Sequence, residues 1–462
     1  MNENHFKVSV VMPVFNGMPY FPEAMDSILH QTLKEIEILV VDAGSTDGTR
    51  EYVTQIAEMD ARVRLLFSEK KSMGYQYNLG ICNAKGKYIG FCESDDYMEL
   101  SAYENIYKAA EDNQYPDVVK SDFCFFITRD CGELSLYYST FLRKYGNLYE
   151  KTISAKSYPF LLLRDINIWN GIYKREFLEE KGILFNETLG AAFQDAGFIL
   201  QVHITAGSEY FLQQAYYHYR KDNEGASVYK KEIYKYALWE LEYMIDWLEQ
   251  NEQYAELWAH MVLERLFCLF AGFYGNYYLK NKEKTCSELL KLQKKVRSLY
   301  QTHSDNLRSE LQKIPFLMLF LENTELFAQA VVQKAKHTLQ ELSGFGDVVK
   351  KAKRVIIFGC GESGQSLLAM LLKNRYEGEI CFCDNNQEKW KEKIMGYPVV
   401  SVERACKEWG SASFLVPGSS LYWKKMKMQI LKNGVCTENI VVAPFVGPHS
   451  SMEVHWNVSS LY

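Results

Sequence analysis

Lys87-Tyr88-Ile89-Gly90-Phe91-Cys92-Glu93-Ser94-Asp95-Asp96 decides how the first half of this chain is read. An apolar run of strand-forming character ends, and three carboxylates follow within four positions. Working backward from it, residues 72–85 read as a helix and 62–67 (RVRLLF) as a strand. Residues 46–59 (TDGTREYVTQIAEM) read as a helix with Thr46 or Asp47 as N-cap. Residues 36–42 (IEILVVD) are a buried strand, 22–32 a helix entered through Pro22, and 7–14 (KVSVVMPV) the first strand. Four alternations of strand and helix imply a mostly parallel sheet with helices on both faces. In such sheets ligands bind beyond the carboxyl ends of the strands, where Asn16, Asp42 and Asp95 fall.

Working forward, residues 229–345 have few Gly or Pro and carry Leu, Glu, Lys, Trp and Tyr at helical spacing, so a helical region is expected. Its stripes (Trp239, Tyr243, Trp247 and Leu263, Phe267, Phe270) read as core. From Val349 strands and helices alternate again: RVIIFG, a helix from Gly361, GEICFCDNN, YPVVS, ASFLVPG, a helix near 421–433, and NIVVAP. The expected organisation is 1–228 α/β, 229–345 helical and 346–462 a second small α/β unit.

Composition narrows the function classes. With 462 residues, 47% hydrophobic and 24% charged, the chain is of ordinary globular character. A net charge of −6 gives no general footprint for nucleic acid. Lys424, Lys425 and Lys427 read as a solvated helix face rather than a membrane anchor. The N-terminal MNENHFKVSV lacks the pattern of a signal peptide, and Leu263–Leu279 is short for a membrane span and contains Glu264 and Arg265. Eleven scattered cysteines point to reduced thiols in a cytosol, with zinc disfavoured because no second pair complements Cys381 and Cys383.

Carboxylates crowded at a strand end repel one another, and a hard divalent cation such as Mn2+ or Mg2+ relieves that repulsion. The same run also reads as a solvated acidic turn or as the acidic start of the helix that follows. The order of segments then adds to the chemistry. VSVVMPVFNG, SILHQT, VDAGSTDGT and NLGICNAKGKYIGFCESDD, followed by IWNGIYKREFLEEKGILF (168–185), GAAFQDAGF (190–198) and YHYRKDNEGASV (217–228), resemble family-2 glycosyltransferases of the GT-A fold.

That resemblance implies a metal-dependent, inverting transfer of a sugar from a nucleotide-sugar, a UDP-sugar first among them, to a hydroxyl of a glycan or lipid-linked acceptor. Bacterial surface polysaccharide or glycoconjugate synthesis, in the cytoplasm and at the inner face of the membrane, is the setting it implies, with peripheral membrane association. Pro13, Phe15, Asn16 and Asp42 match the loops that hold base and ribose, and Asn78 and Ser94 join them on the donor side. Asp95 matches the metal ligand, with Glu93, Asp96 and His218 as further metal candidates, although His218 reads more readily as a hydrogen-bonded structural histidine. Asp195 matches the catalytic base, while Trp169 and Asn170 lie in the acceptor-side segment. Trp169 reads equally as a sugar platform or as core, and Arg220 equally as a phosphate partner or as half of an ion pair. Three residues depart from the pattern: Ala43 stands for a second Asp, Glu93 for the first Asp of the metal motif, and Gln194 for the Glu before the base.

A second candidate site follows a strand near the C-terminus. Gly359-Cys360-Gly361-Glu362-Ser363-Gly364 opens a helix, and Asp384 ends the next strand, the context of a Rossmann-like phosphate turn. The same glycines also serve helix–strand packing alone. Rival readings for the whole chain are a non-catalytic nucleotide-sugar binding protein with a decayed transferase domain, a nucleotidyltransferase and a scaffold. The nucleotidyltransferase is disfavoured because PVFNGMPYFP contains no Lys or Arg.

Overall fold

The computed structural model describes residues 6–129, 132–138, 140–141, 143–223, 225–227, 232–281, 286–302, 304–418 and 422–444. Glu224, Val228 and the boundary expected at 228 and 229 lie outside them. The chain divides into two compact units, residues 1–124 with 139–332, and residues 125–138 with 333–462.

The first unit is built on a mixed sheet. The strands of that sheet are β1 (Val8–Val14), β2 (Ile36–Asp42), β3 (Val63–Phe67), β4 (Tyr88–Phe91), β5 (Tyr97–Met98), β6 (Val118–Arg129), β7 (Gly132–Tyr138), β8 (Thr152–Ile153), β9 (Gly171–Lys174) and β10 (Glu209–Arg220), of which β7 and the part of β6 from residue 125 onward are grouped with the second unit. They lie in the order β3-β2-β1-β4-β9-β6-β10-β5, with β7 on β6 and β8 on β10. The first four strands are parallel, as the alternation predicted, and β9 runs antiparallel to both its neighbours. Every residue of β1 and β2 is buried, because helices cover both faces of this half. The helices Phe21–Leu29, Thr49–Met59 and Met73–Asn83 fall where expected, the last capped by the Ser72 hydroxyl. The cap of the second differs from expectation: Gly48, at φ 95°, is the N-cap, and Asp47 instead accepts from the Thr49 N–H and hydroxyl.

The helical part of this unit contains Ile233–Gln250 and Glu252–Asn281, followed by Cys286–Thr302, Asp305–Leu311 and Leu317–Glu322. Leu263, Phe267 and Phe270 are core, as read from sequence. The stripe Trp239, Tyr243, Trp247 is only half-buried. The neighbouring face, Ala237, Leu241, Met244 and Leu248, is the one that enters the core. The helix Glu252–Asn281 extends well beyond the Leu263–Leu279 stretch, and Glu252–Leu279 is long and apolar enough to cross a membrane by length and composition. Of its apolar window, 56% is buried inside the fold, which is the behaviour of a core helix.

The second unit carries a smaller sheet of β11 (Arg354–Phe358), β12 (Glu379–Asp384), β13 (Lys393–Ile394), β14 (Tyr397–Ser401), β15 (Ser413–Pro417) and β16 (Ile440–Ala443). The order is β13-β14-β12-β11-β15-β16, parallel throughout except for β13. The helices Glu362–Lys373, Val402–Trp409 and Trp423–Lys432 accompany it.

Candidate active site

At the carboxyl ends of β1 and β2 two loops are tied together residue by residue. Asn16 adopts φ 53°, donates its N–H to the Ser45 hydroxyl and accepts the Thr46 N–H on its side chain. Gly17 and Met18 donate to Thr49 Oγ1 and Asp47 Oδ2. Asp42, 1% exposed, accepts from the Ser45 N–H at 2.9 Å and from Arg50 Nε and Nη2 at 2.8 and 2.6 Å. Burial pushes its carboxyl up, but the Ser45 bonds and the Arg50 guanidinium outweigh that and hold it below its ordinary value. Pro13 is paired within the sheet, whereas Phe15 is 44% exposed and lies beneath Lys71 Nζ at 4.2 Å. This is a preformed rim with one exposed aromatic ring.

The acidic run emerges from β4 beside it. Ligand oxygens of Glu93, Asp95 and Asp96 all lie within 4.8 Å of one another, and among the described residues this is the only such acidic, His or Cys cluster. The three differ in commitment. Asp96 accepts the Tyr217 hydroxyl at 2.7 Å and the Arg220 N–H at 2.7 Å, which anchors the end of β10. Asp95 accepts Asn223 Nδ2 at 2.7 Å, and its carbonyl receives Arg220 Nε. Loss of water pushes all three carboxyls up, with mutual repulsion adding to the shift at Glu93 and Asp96 and Asn223 opposing it at Asp95. The chemistry and spacing of this set suit a hard divalent ion. Ser94 sits half-buried within the run.

Asp195 is the second residue of the helix Gln194–Thr205, which starts after Phe193 at φ 64°. Burial raises its carboxyl, against the opposing charge of Arg265. Its field in turn lifts Glu93, so base candidate and acidic cluster share one electrostatic neighbourhood. Tyr77 also belongs there: it is 1% exposed, its hydroxyl has no hydrogen-bond partner among the described residues, and Glu93 and Asp195 add to the effect of burial in raising it. Gln194 uses both ends of its amide on the loop before the helix. It donates to the carbonyls of Thr188 and Gly190 and accepts the Ala192 N–H, which a carboxylate in its place could do only in part.

Several expected site residues are engaged elsewhere. Asn78 spends its amide on the Phe185 carbonyl and N–H and on Glu187, so it fastens residues 185–187 rather than facing a donor. Trp169 is 3% exposed and stacked on Tyr217 and Tyr219 at 4.3 and 5.1 Å. Asn170 is fully buried and donates to the Ser121 carbonyl. Both belong to the packed interior, not to an acceptor surface. His218 lies outside the acidic cluster, paired with Glu99 at 3.0 Å and stacked on Tyr97 at 4.2 Å. Arg220 is buried, ion-paired with Glu23 and Asp222 and stacked on Tyr20. Arg50, Tyr217 and Asn223, which sequence reading passed over, supply the bonds that fix the acidic residues. Only the charge of Arg50, eight positions after Asp42, was a usable signal.

In the second unit, Gly359 takes φ +96° at the end of β11. A Cβ on Gly364 would collide with the Gly359 carbonyl oxygen, so this glycine is required for helix–loop packing. Asp384 accepts the N–H of Cys360 and of Asn386, both at 2.8 Å, so its two oxygens hold the turn. Gly361 is the N-cap of the helix Glu362–Lys373, with open space beside it.

Residues 9–165 match the Glycosyl transferase family 2 model. The stretch contains the rim and the acidic cluster, and Asp195 follows it. The chain is 30% identical over 216 residues to the uncharacterized glycosyltransferase EpsJ of Bacillus subtilis, covering 46% of this chain and 61% of EpsJ. It is 29% identical over 221 residues to glycosyltransferase GlyA of Streptococcus pneumoniae, covering 46% of this chain and 30% of GlyA. The match thus spans less than two thirds of either relative. Among solved structures it resembles S. aureus TarS 1-349 at a TM-score of 0.51 and 17% identity, covering 72% of this chain and 92% of that one. A second crystal structure of the same TarS fragment, in complex with UDP-GlcNAc, gives a TM-score of 0.52 at 18% identity. This likeness establishes the GT-A fold of the region.

Proposed function

We propose that this protein is an inverting, metal-dependent glycosyltransferase that moves a sugar from a nucleotide-sugar to a hydroxyl of a glycan or lipid-linked acceptor. A UDP-sugar is the favoured donor, in keeping with UDP-GlcNAc in the TarS complex. We place the reaction at the cytoplasmic face of the membrane, in bacterial surface polysaccharide or glycoconjugate synthesis. The observation that carries the reading is the cluster Glu93, Asp95, Asp96 at a strand end, with the half-buried Asp195 near enough for its charge to be felt at Glu93.

Asp95 and Glu93 would hold Mn2+ or Mg2+, with Asp96 bracing them from β10. Bound there, the ion supplies positive charge against the diphosphate leaving group. The rim formed by Pro13–Asn16 and Asp42–Ser45 receives the nucleoside, with Phe15 as the exposed ring available for stacking. Asp195 accepts the proton of the acceptor hydroxyl as that oxygen bonds to the anomeric carbon and the carbon–diphosphate bond breaks. Attack from the face opposite the leaving group inverts the anomeric centre. The raised carboxyl of Asp195 makes it a stronger base than an exposed aspartate. The second unit reads as a Rossmann-like domain, in which Gly359, Gly361, Gly364 and Asp384 shape the turn.

The test is a panel of UDP-, GDP- and dTDP-sugars incubated with the full chain and Mn2+ or EDTA. Metal-dependent release of one nucleoside diphosphate is expected. A folded protein that neither binds nor turns over any of them is a non-catalytic protein instead.

A further inference from the structure

We propose that Glu240, on the helix Ile233–Gln250, is a positioning residue for Asp195; the inference rests on the reading of Asp195 as the catalytic base. Glu240 belongs to none of the motifs described above, yet its carboxyl reaches the backbone of the helix that carries that base. It is 1% exposed, and it accepts the N–H of Gly197 at 2.8 Å on one oxygen and Asn186 Nδ2 at 2.9 Å on the other.

Gly197 lies in the first turn of the Asp195 helix, where N–H groups have no partner within the helix. The Ala196 N–H turns back to Phe193, and Glu240 takes the next one. A Cβ on Gly197 would overlap Glu240 Oε1 and lie 3.1 Å from its Cδ and 3.2 Å from Met244 Sδ. Glycine at this position is what lets the carboxyl approach. Asn186, the other partner, precedes the 188–192 loop that Gln194 holds to the start of the same helix. Glu240 therefore clamps both the chain entering the Asp195 helix and the helix itself.

The groups that face Glu240 fit this role. Asp195 stands on the clamped helix, Arg265 on the helix Glu252–Asn281, and Tyr243 one turn along its own helix. Burial chiefly, with repulsion from Asp195, pushes the carboxyl up to about 8, while Asn186, Gly197 and Arg265 pull it down. At neutral pH it is a neutral acid for most of the time, so its task is one of hydrogen bonding and placement. A base displaced by about 1 Å loses on the order of 10²-fold in rate.

The test uses the full chain with the panel of UDP-, GDP- and dTDP-sugars and Mn2+, UDP binding by calorimetry and thermal unfolding. At pH 7, E240A and G197A are expected to lower kcat by about 10-fold or more, with UDP affinity within about twofold of wild type. E240Q, which still accepts the Gly197 N–H, is expected to recover most of the loss. Should E240A not fold, G197A, which displaces the same carboxyl, carries the comparison. Wild-type kcat in a folded E240A or G197A overturns the proposal, as does equal loss of kcat and UDP affinity. D195N separates the two readings. Wild-type turnover by D195N removes Asp195 as base, whereas an inactive D195N beside a fully active E240A removes only Glu240.

Discussion

A carboxyl held neutral in the folded chain must cost stability as pH rises, and Glu240 gives that cost a size. Its ordinary value is 4.5, and burial with repulsion from Asp195 pushes it up to about 8. Below pH 4.5 both folded and unfolded chains carry the proton, so there is no penalty. Between those values the unfolded chain gives up its proton and the folded chain keeps it. Stability then falls by about 1.4 kcal/mol per pH unit, and the fall stops above about pH 8. Over the whole interval Glu240 costs up to about 5 kcal/mol relative to acid pH. Because the side chain is 1% exposed, little solvent screening reduces this. E240Q removes the ionisation and preserves the shape. Urea unfolding of full-length wild type and E240Q at pH 5, 6, 7, 8 and 9 isolates the contribution, since all other titrating groups are common to both. The stability of wild type minus that of E240Q should decline across pH 5–8 and level off at pH 9. Curves that stay parallel over that range would refute the buried, proton-retaining Glu240.

Other expectations concern the reaction and the second unit. D195N should reduce kcat by roughly 10²–10⁴-fold with donor affinity little changed, measured by steady-state kinetics and calorimetry. D95A should act on binding itself, so that Mn2+ no longer strengthens UDP affinity; retained metal-dependent affinity would count against Asp95 as ligand. G364A should destabilise the second unit by about 1–3 kcal/mol, because its Cβ meets the Gly359 carbonyl, and thermal unfolding followed at Trp390 and Trp409 would read the shift.

The parallel half of the sheet was legible because β1, β2 and β4 are predominantly apolar runs, interrupted only by Ser9 in β1 and Glu37 in β2, and each is closed by a polar loop. Local patterns of this kind need no knowledge of partners. The antiparallel half was not legible, since β9 and β10 are defined by neighbours far along the chain. The acidic cluster could be read because its members are adjacent in sequence. Asn78 and His218 show the limit: residue type marked both as polar and reactive, but only the fold reveals that Phe185, Glu187 and Glu99 had already engaged them. Glu240 shows the converse. On a helix rich in Glu and aromatic residues it looks like one more solvent-facing carboxylate, and nothing local tells that it faces Gly197, 43 positions earlier.

The carboxylates of the first unit sort themselves by how they are compensated, and the sorting bears on function. Asp42 has Arg50 donating twice to its Oδ2 and backbone N–H groups besides, so it stays ionised and needs nothing further. Asp165 is likewise held low despite complete burial, because Lys120 and His203 surround it, and His203 in turn meets Glu209 at 2.6 Å. These groups are internally balanced and act as structure. Glu93, Asp95 and Asp96 are held high, and the cations within reach, Arg220 and Lys221, do not offset their burial. Arg220 is itself divided among Glu23, Asp222 and the Asp95 carbonyl. Among the described residues the fold thus neutralises acids such as Asp42 and Asp165 with its own side chains and leaves the strand end at Glu93, Asp95 and Asp96 in electrostatic deficit, with Asp195 adding to it. A deficit of that kind is costly to maintain unless a cation arrives with a ligand. That is why D95A is expected to change metal-dependent donor binding and D195N to spare it.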